Sequence, residues 1–173
     1  MNEVSLIQEC KKGNRKAQET FYNQFAPRMM GVCIRYSPDR DSANDLMQEG
    51  FIKVFYNLKE FKGTGSLEGW MRKIFINCAL EKIRKSKFTL QIQEIPSDCE
   101  DSFPSAVEEL TATEMLQLIQ QLPEGYRIIF NLFAIEGFTH KEISEMLNIS
   151  EGTSRSQYTR ARQALQKKIK NLY

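Results

Sequence analysis

Apolar residues recur along this chain at helical spacing, and no stretch alternates as a strand would. The spacing predicts a helix over 3–12 and another over 14–36, broken at Gly13-Asn14. Pro38-Asp39-Arg40-Asp41 reads as a turn, with Asp41 placed to cap a helix reaching about Leu58. Lys62-Gly63-Thr64-Gly65-Ser66 reads as a loop, after which Ser66 caps a helix over about 67–85. Between about Ser86 and Ser105 the periodicity fails, and Pro96, Asp98, Asp101 and Pro104 mark a linker. Helix resumes by Ala106 and runs to Leu122. Pro123 suits the first turn of the next helix, which extends to about Ile135 before Gly137 breaks it. The fold class is all-α. Two small helical domains, 1–86 and 106–173, are joined by an acidic flexible linker over 87–105, and the C-terminal domain holds a helix-turn-helix.

The last two predicted helices carry the most specific local chemistry. Thr139 and Glu142 have capping-box spacing, and Phe138 with Ile143 supplies the matching hydrophobic staple. Ile143, Met146 and Leu147 form one apolar face, Asn148-Ile149 makes the turn, and Ser150 caps the next helix. In that helix Tyr158, Ala161 and Leu165 are expected to face inward, joined one turn earlier by the polar Ser154. The opposite face presents Arg155, Ser156, Thr159, Arg160 and Arg162. Arginine forks onto guanine edges, and serine or threonine contacts bases or phosphates. The second helix of such a motif lies in the major groove. A basic tail of Lys167, Lys168 and Lys170 would meet phosphates without reading sequence. His140, the one histidine, is expected at the surface.

Upstream, Met47, Phe51, Val54, Phe55 and Leu58 make a core-facing stripe. The other face of that helix carries Asp45, Gln48, Glu49, Ile52, Lys53 and Tyr56, a mixture that suits a protein-binding surface. In the following helix Trp70, Ile74 and Cys78 are expected to be buried, with Lys73, Asn77 and Arg84 on another face. A glycine-rich loop beside basic groups and aromatics suits an unpaired nucleotide strand or an extruded base.

Charge sharpens this picture. The 173 residues carry a net charge of only +2, with 41% hydrophobic and 27% charged residues, as in an ordinary globular protein. The charge is uneven: +5 over residues 1–86, −5 over 87–109 and +2 over 110–173. Two basic blocks around an acidic connector are the footprint of a polyanion partner. No run of about 18 apolar residues exists to span a membrane, so no membrane insertion is expected. Residues 1–9 lack the order of a secretory signal. Cys10, Cys33, Cys78 and Cys99 are not close-spaced, which gives no metal or redox pattern and suits reduced thiols in a cytoplasm. Cys33 and Cys78 sit in apolar stretches and are expected in the core. No nucleophile–base pair is evident, so neither catalysis nor a cofactor is expected.

Taken together, these residues resemble a sigma factor of bacterial RNA polymerase, of the small two-domain extracytoplasmic-function (ECF) class in the sigma-70 family. The resemblance covers roughly residues 5–170. Ala43, Asp45-Leu46, Gln48-Glu49 and Phe51 resemble the family's region 2 helix, and Trp70, Ile74, Asn77 and Arg84 the helix that follows. Glu142-Ile143, Ile149-Ser150, Gly152-Thr153, Arg160-Ala161-Arg162 and Leu165 resemble region 4. The resemblance implies that Asp45, Gln48, Glu49 and Ile52 dock on the beta-prime clamp helices of the polymerase core. It implies that Phe61, Lys62, Gly63 and Thr64, with Lys73, Asn77 and Arg84, melt and hold the promoter −10 element as single strand. It further implies that Arg155, Ser156, Thr159, Arg160 and Arg162 read the −35 element as duplex, and that an anti-sigma factor is a partner. The sequence departs from the family's pattern at Ser154, usually apolar, and at Glu81, commonly Asp. Gln157 and Thr159 also differ, which leaves the −35 preference open. The alternative reading is a ligand-responsive helix-turn-helix regulator acting without polymerase. A nucleic-acid-modifying enzyme would need an acid–base or metal site that the sequence does not offer.

Overall fold

The computed structural model describes residues 2–85 and 111–171, and every regular element among them is helical. The chain divides into two compact units, the first ending at Lys85. The linker expected over 87–105 lies outside the described residues.

The first unit contains α1 (Glu3–Lys11), α2 (Arg15–Tyr36), α3 (Arg40–Asn57) and α4 (Leu67–Lys85), with a 3-10 turn at Leu58–Glu60. Local side chains start these helices. Asn14 Oδ1 accepts from the backbone N–H groups of Lys16 and Ala17 at 3.1 and 3.3 Å, so α2 begins one residue after the break at Gly13-Asn14. The cap of α3 is Asp39, not Asp41. Its carboxylate accepts from the Ser42 N–H at 2.7 Å, and that bond holds the carboxyl below the usual carboxylate range. Asp41 falls instead in the first helical turn, where its charge favours the helix dipole.

The core of this unit forms where α2, α3 and α4 meet. Phe21, Phe25 and Met29 of α2 are buried, with Met47 and Val54 of α3 and Met71 and Phe75 of α4. On α3 the expected stripe is found, with Phe55 half-buried at its edge. On α4 the expected stripe is displaced by one position. Met71, Phe75, Cys78 and Ala79 are buried, whereas Trp70 and Ile74 are half-buried. The backbone of α3 at Gly50 lies directly against the Phe75 ring, an approach that any Cβ would block.

The second unit contains α5 (Ala112–Gln120), α6 (Glu124–Phe130), α7 (His140–Leu147) and α8 (Glu151–Lys170). α5 starts at Ala112, where Thr111 is extended and closes a capping box with Glu114; the resumption of helix expected by Ala106 lies outside the described residues. The single helix expected to reach Ile135 ends at Phe130. A π-helical segment, Asn131–Ile135, follows, with the Glu136 N–H donating to the Asn131 carbonyl at 3.0 Å. The core of this unit joins Leu118, Ile119, Leu122 and Tyr126 to Ala161, Leu165 and Ile169 of α8.

Candidate nucleic-acid and protein interfaces

The helix-turn-helix is built from local signals. Thr139 caps α7 by accepting from the Glu142 N–H at 3.2 Å, and the Glu142 carboxylate accepts from the Thr139 N–H at 2.8 Å. Asn148 ends α7 in the left-handed region at φ 54°, a conformation its short amide tolerates. The Ile149 N–H then donates to the Ser144 carbonyl at 3.1 Å, the long bond of a Schellman turn. Ser150 caps α8 by accepting from the Thr153 N–H at 2.9 Å.

The phase of α8 is set by its buried positions, Ser154, Gln157, Ala161, Leu165, Gln166 and Ile169. Arg155, Ser156 and Thr159 are exposed on the other side, and Arg160 and Arg162 are half-buried, Arg162 as far as its Nε. Arg155 is paired with Glu151 one turn before it. The Ser156 and Thr159 hydroxyls donate to the carbonyls of Thr153 and Arg155, at 3.0 and 3.1 Å. Arg155, Ser156 and Thr159 therefore hold the solvent side of the second helix, with Arg160 and Arg162 at its margins, a face of the kind an α-helix presents to a major groove. Gln157, one of the positions expected to bear on sequence preference, faces inward and cannot read a base.

His140 corrects a sequence expectation. It is buried rather than on the surface. Its Nδ1 lies 2.9 Å from the Ser154 hydroxyl, and its ring stacks on Phe133 with centroids 4.2 Å apart and planes at 11°. The half-buried Tyr158 ring lies 4.5 Å from Phe133 and 5.8 Å from His140. Burial, and then the nearby Arg155 guanidinium, hold the His140 pKa below its ordinary 6.5. The polar Ser154 is thereby accounted for, since it has a hydrogen-bond partner where an apolar side chain would have a packing one. One sequence signal for this burial exists: positions 140, 143 and 147 share a helical face.

In the first unit, the loop between α3 and α4 has a buried root and an exposed tip. Phe61 is only 8% exposed, and its ring packs on Trp70 with centroids 5.2 Å apart. Lys62, Gly63 and Thr64 are exposed, and the chain turns through left-handed conformations at Gly63 (φ 75°) and Gly65 (φ 87°). Ser66 ends the loop by accepting from the Gly69 N–H at 3.3 Å. Lys73, Asn77 and Arg84 are exposed on α4. Phe61 thus supports the loop from below, while Lys62 to Thr64 form its accessible part.

The outer face of α3 presents Asp45 and Gln48 with Ile52 (70% exposed) and Tyr56 (81% exposed). Glu49, expected beside them, is engaged within the unit. Its two oxygens lie 3.5 Å from Lys53 and 3.4 Å from Lys82, and Lys53 reaches Glu81 at 2.7 Å. The Lys53 bond lowers the Glu81 pKa, and the same bond raises that of Lys53. The departure at Glu81 is therefore a partner for Lys53 between α3 and α4. Beneath this network Cys33 and Cys78 are fully buried, and burial pushes the Cys33 thiol up to about 12. Among the described residues no group of three or more His, Cys, Asp and Glu side chains is placed to hold a metal ion, and no helix is long and apolar enough to cross a membrane.

The family model for Sigma-70 region 2 matches residues 21–89, and that for Sigma-70, region 4 matches residues 112–165. Together they take in well over half of the chain. The chain is 26% identical to the RNA polymerase sigma-H factor of Pseudomonas aeruginosa, covering 96% of this chain and 93% of that protein. It is 28% identical to the ECF RNA polymerase sigma-E factor of Escherichia coli, covering 96% and 94%. Among solved structures, the sigma factor RpoE of Bartonella quintana, crystallised with the anti-sigma factor NepR, matches with a TM-score of 0.53 at 21% identity. That match covers 88% of this chain and 96% of the other, and it is a likeness of fold. The region 2 match takes in the α3 face, the loop and α4, while the region 4 match takes in α7 and most of α8. The chain belongs to the sigma-70 family of RNA polymerase sigma factors, within its extracytoplasmic-function class.

Proposed function

We propose that this sigma factor binds core RNA polymerase through the outer face of α3, directs it to a subset of promoters, and divides promoter recognition between its two units. Arg155, Ser156, Thr159, Arg160 and Arg162 read the −35 element in the duplex major groove. The exposed loop from Lys62 to Thr64, with Lys73, Asn77 and Arg84, takes the melted −10 element as single strand, and Phe61 supports that loop from beneath. Asp45, Gln48 and Ile52 dock on the beta-prime clamp helices. Glu49 keeps α3 and α4 in register and contributes the rest of its charge to the docking face. The protein acts as a binding subunit and not as an enzyme, in the cytoplasm with the polymerase and its template. An anti-sigma factor is its expected regulator.

The observation that carries this reading is the α3 face. Ile52 and Tyr56 are the two most exposed large hydrophobics of that helix, and they stand one turn apart beside Asp45 and Gln48. An exposed apolar pair rimmed by polar groups marks a protein contact. A ligand-responsive regulator working alone has no use for such a face next to a strand-capturing loop.

Run-off transcription from a promoter library with core polymerase, with and without this protein, tests the reading. Protein-dependent start sites are expected. The double variant Asp45→Ala/Gln48→Ala is expected to weaken polymerase association while leaving the fold intact. Wild-type polymerase affinity in that folded variant would refute the docking assignment.

A further inference from the structure

We propose that Lys11 is a positioning residue for the strand-capturing loop, acting from α1 through the backbone of Phe61. The proposal rests on the assignment of that loop to the −10 element. Lys11 stands in the last turn of α1, and its Nζ donates to the Phe61 carbonyl at 3.0 Å, fifty residues further along the chain. The bond is part-buried, so it is less open to exchange with water than a surface contact.

Phe61 is the point from which the loop projects, and it is held on three sides. Its N–H donates to the Leu58 carbonyl at 3.2 Å, its carbonyl accepts from Lys11, and its ring packs on Trp70. The residues after it are differently supported. Among the described residues, no side chain from Lys62 to Gly65 has a hydrogen-bond or ion-pair partner, and two of the four positions are left-handed glycines with open space around them. The placement of this tip is therefore inherited from its ends. At the far end Ser66 is fixed by its bond to the Gly69 N–H and by the start of α4. At the near end, among the described residues, Lys11 is the side chain that reaches the loop backbone from another helix.

The carbonyl of Phe61 belongs to the peptide unit that leads into Lys62. Holding that oxygen fixes the plane of the peptide, and hence the direction in which Lys62, Gly63 and Thr64 leave the unit. A cation is suited to the task, because a hydrogen bond from an ammonium is about twice as strong as a neutral one. A site that must accept an extruded base gains affinity from such preorganisation, since less ordering is left to be done on binding. The inference thus gives α1, which carries none of the residues assigned to promoter or polymerase, a part in −10 recognition.

The test uses the full chain assembled with core polymerase. Three quantities are measured for wild type, Lys11→Met and Lys11→Arg: affinity for a single-stranded −10 oligonucleotide, affinity for a −35 duplex, and affinity for core polymerase. Thermal melting of each free protein accompanies them. Lys11→Met keeps the length of the stem and removes the donor. It is expected to weaken single-strand binding by roughly tenfold or more, the size of one charge-assisted hydrogen bond. The other two affinities should stay at wild-type values, and Lys11→Arg should restore single-strand binding to within about twofold of wild type. Equal single-strand binding by wild type and Lys11→Met overturns the inference. A parallel fall in all three affinities together with the melting temperature also overturns it, because Lys11 is then a stability residue only. If the wild-type complex itself binds no −10 single strand, the loop assignment fails, and this inference falls with it.

Discussion

Substituting Gly50 by Ala tests the packing that sets α3 against α4. A Cβ built at Gly50 lands well under 3.0 Å from Cε1, Cδ1 and Cζ of Phe75. The ring has little room to retreat. Phe75 is fully buried and stands edge-on to Phe51 at 5.4 Å, and Phe51 is itself backed by Tyr22 at 4.6 Å and Phe55 at 6.1 Å. Two effects of opposite sign compete. Ala is favoured over Gly inside a helix by about 1 kcal/mol. Forcing a methyl group into a filled core costs about 1–3 kcal/mol, and a hemmed-in ring puts this site at the upper end. The net expectation is a loss of about 2 kcal/mol. For a unit of this size that lowers the midpoint of thermal unfolding by roughly 10 °C.

An internal control has the opposite sign. Gly31 also lies inside a helix, α2, and nothing stands within 4 Å of the Cβ it would gain. Gly31→Ala is therefore expected to stabilise by about 1 kcal/mol. The assay is already present in the sequence. Trp70 is the only tryptophan and belongs to the first unit, so tryptophan fluorescence follows the unfolding of that unit in the full chain. Urea titrations of wild type, Gly50→Ala and Gly31→Ala should give midpoints displaced in opposite directions by the two substitutions. A Gly50→Ala protein as stable as wild type, or a pair that shifts the same way, refutes the close approach. Shrinking the ring should expose the coupling. Gly50→Ala/Phe75→Leu is expected to be more stable than the sum of its single variants, since the clash exists only when both groups are present.

Two further outcomes follow from the second unit. Arg155→Ala and Arg160→Ala are each expected to cost about 1–3 kcal/mol of discrimination at the −35 element, measured by competition between specific and scrambled duplexes. Unchanged discrimination in both would move base reading off this face of α8. His140 supplies a pH dependence, because its folded pKa lies below its ordinary 6.5. Below that value the unfolded chain takes up a proton that the folded unit refuses, so stability is complete above about pH 6.5 and declines as the pH falls toward the lowered folded value. Hydrogen exchange of the α7 and α8 amides between pH 7.5 and 5.5 should report this decline in wild type, and His140→Gln should lack it; equal slopes would remove His140 as the titrating group.

The elements that the sequence disclosed are those specified by neighbours a few positions apart. Asn14, Ser66, Thr139 and Ser150 announce helix starts because a cap bonds to N–H groups two or three residues away. What escaped has tertiary causes. On α4, Trp70, Met71, Ile74, Phe75 and Ile76 surround so much of the helix that periodicity could not fix its phase, and only contact with α2 and α3 selected Met71 and Phe75. The cap at Asp39 rather than Asp41 turns on two acids of equal capping chemistry, of which one adopts extended backbone. The α5 start at Ala112 carries a capping box, Thr111-x-x-Glu114, that the sequence reading passes over.

The α8 helix shows why phase outranks polarity. Gln157 and Ser154 are polar residues on α8, and a reading by residue type would add them to the set proposed to read bases. Ala161, Leu165 and Ile169 fix the inward direction, and stepping back by four and seven positions from Ala161 reaches 157 and 154 whatever residues stand there. The face left for solvent is then 155, 156 and 159, with Arg160 and Arg162 half-buried along its margins. Not every polar group on the inward side has a partner among the described residues, since both amide atoms of Gln157 are buried without one. Ser154 finds one in His140, whose burial follows from the same geometry seen from α7. The solvent-facing set and the buried pair are thus two consequences of one packing choice, so a change that rotates α8 to free Ser154 would also turn Arg155 out of the set proposed to read the −35 element.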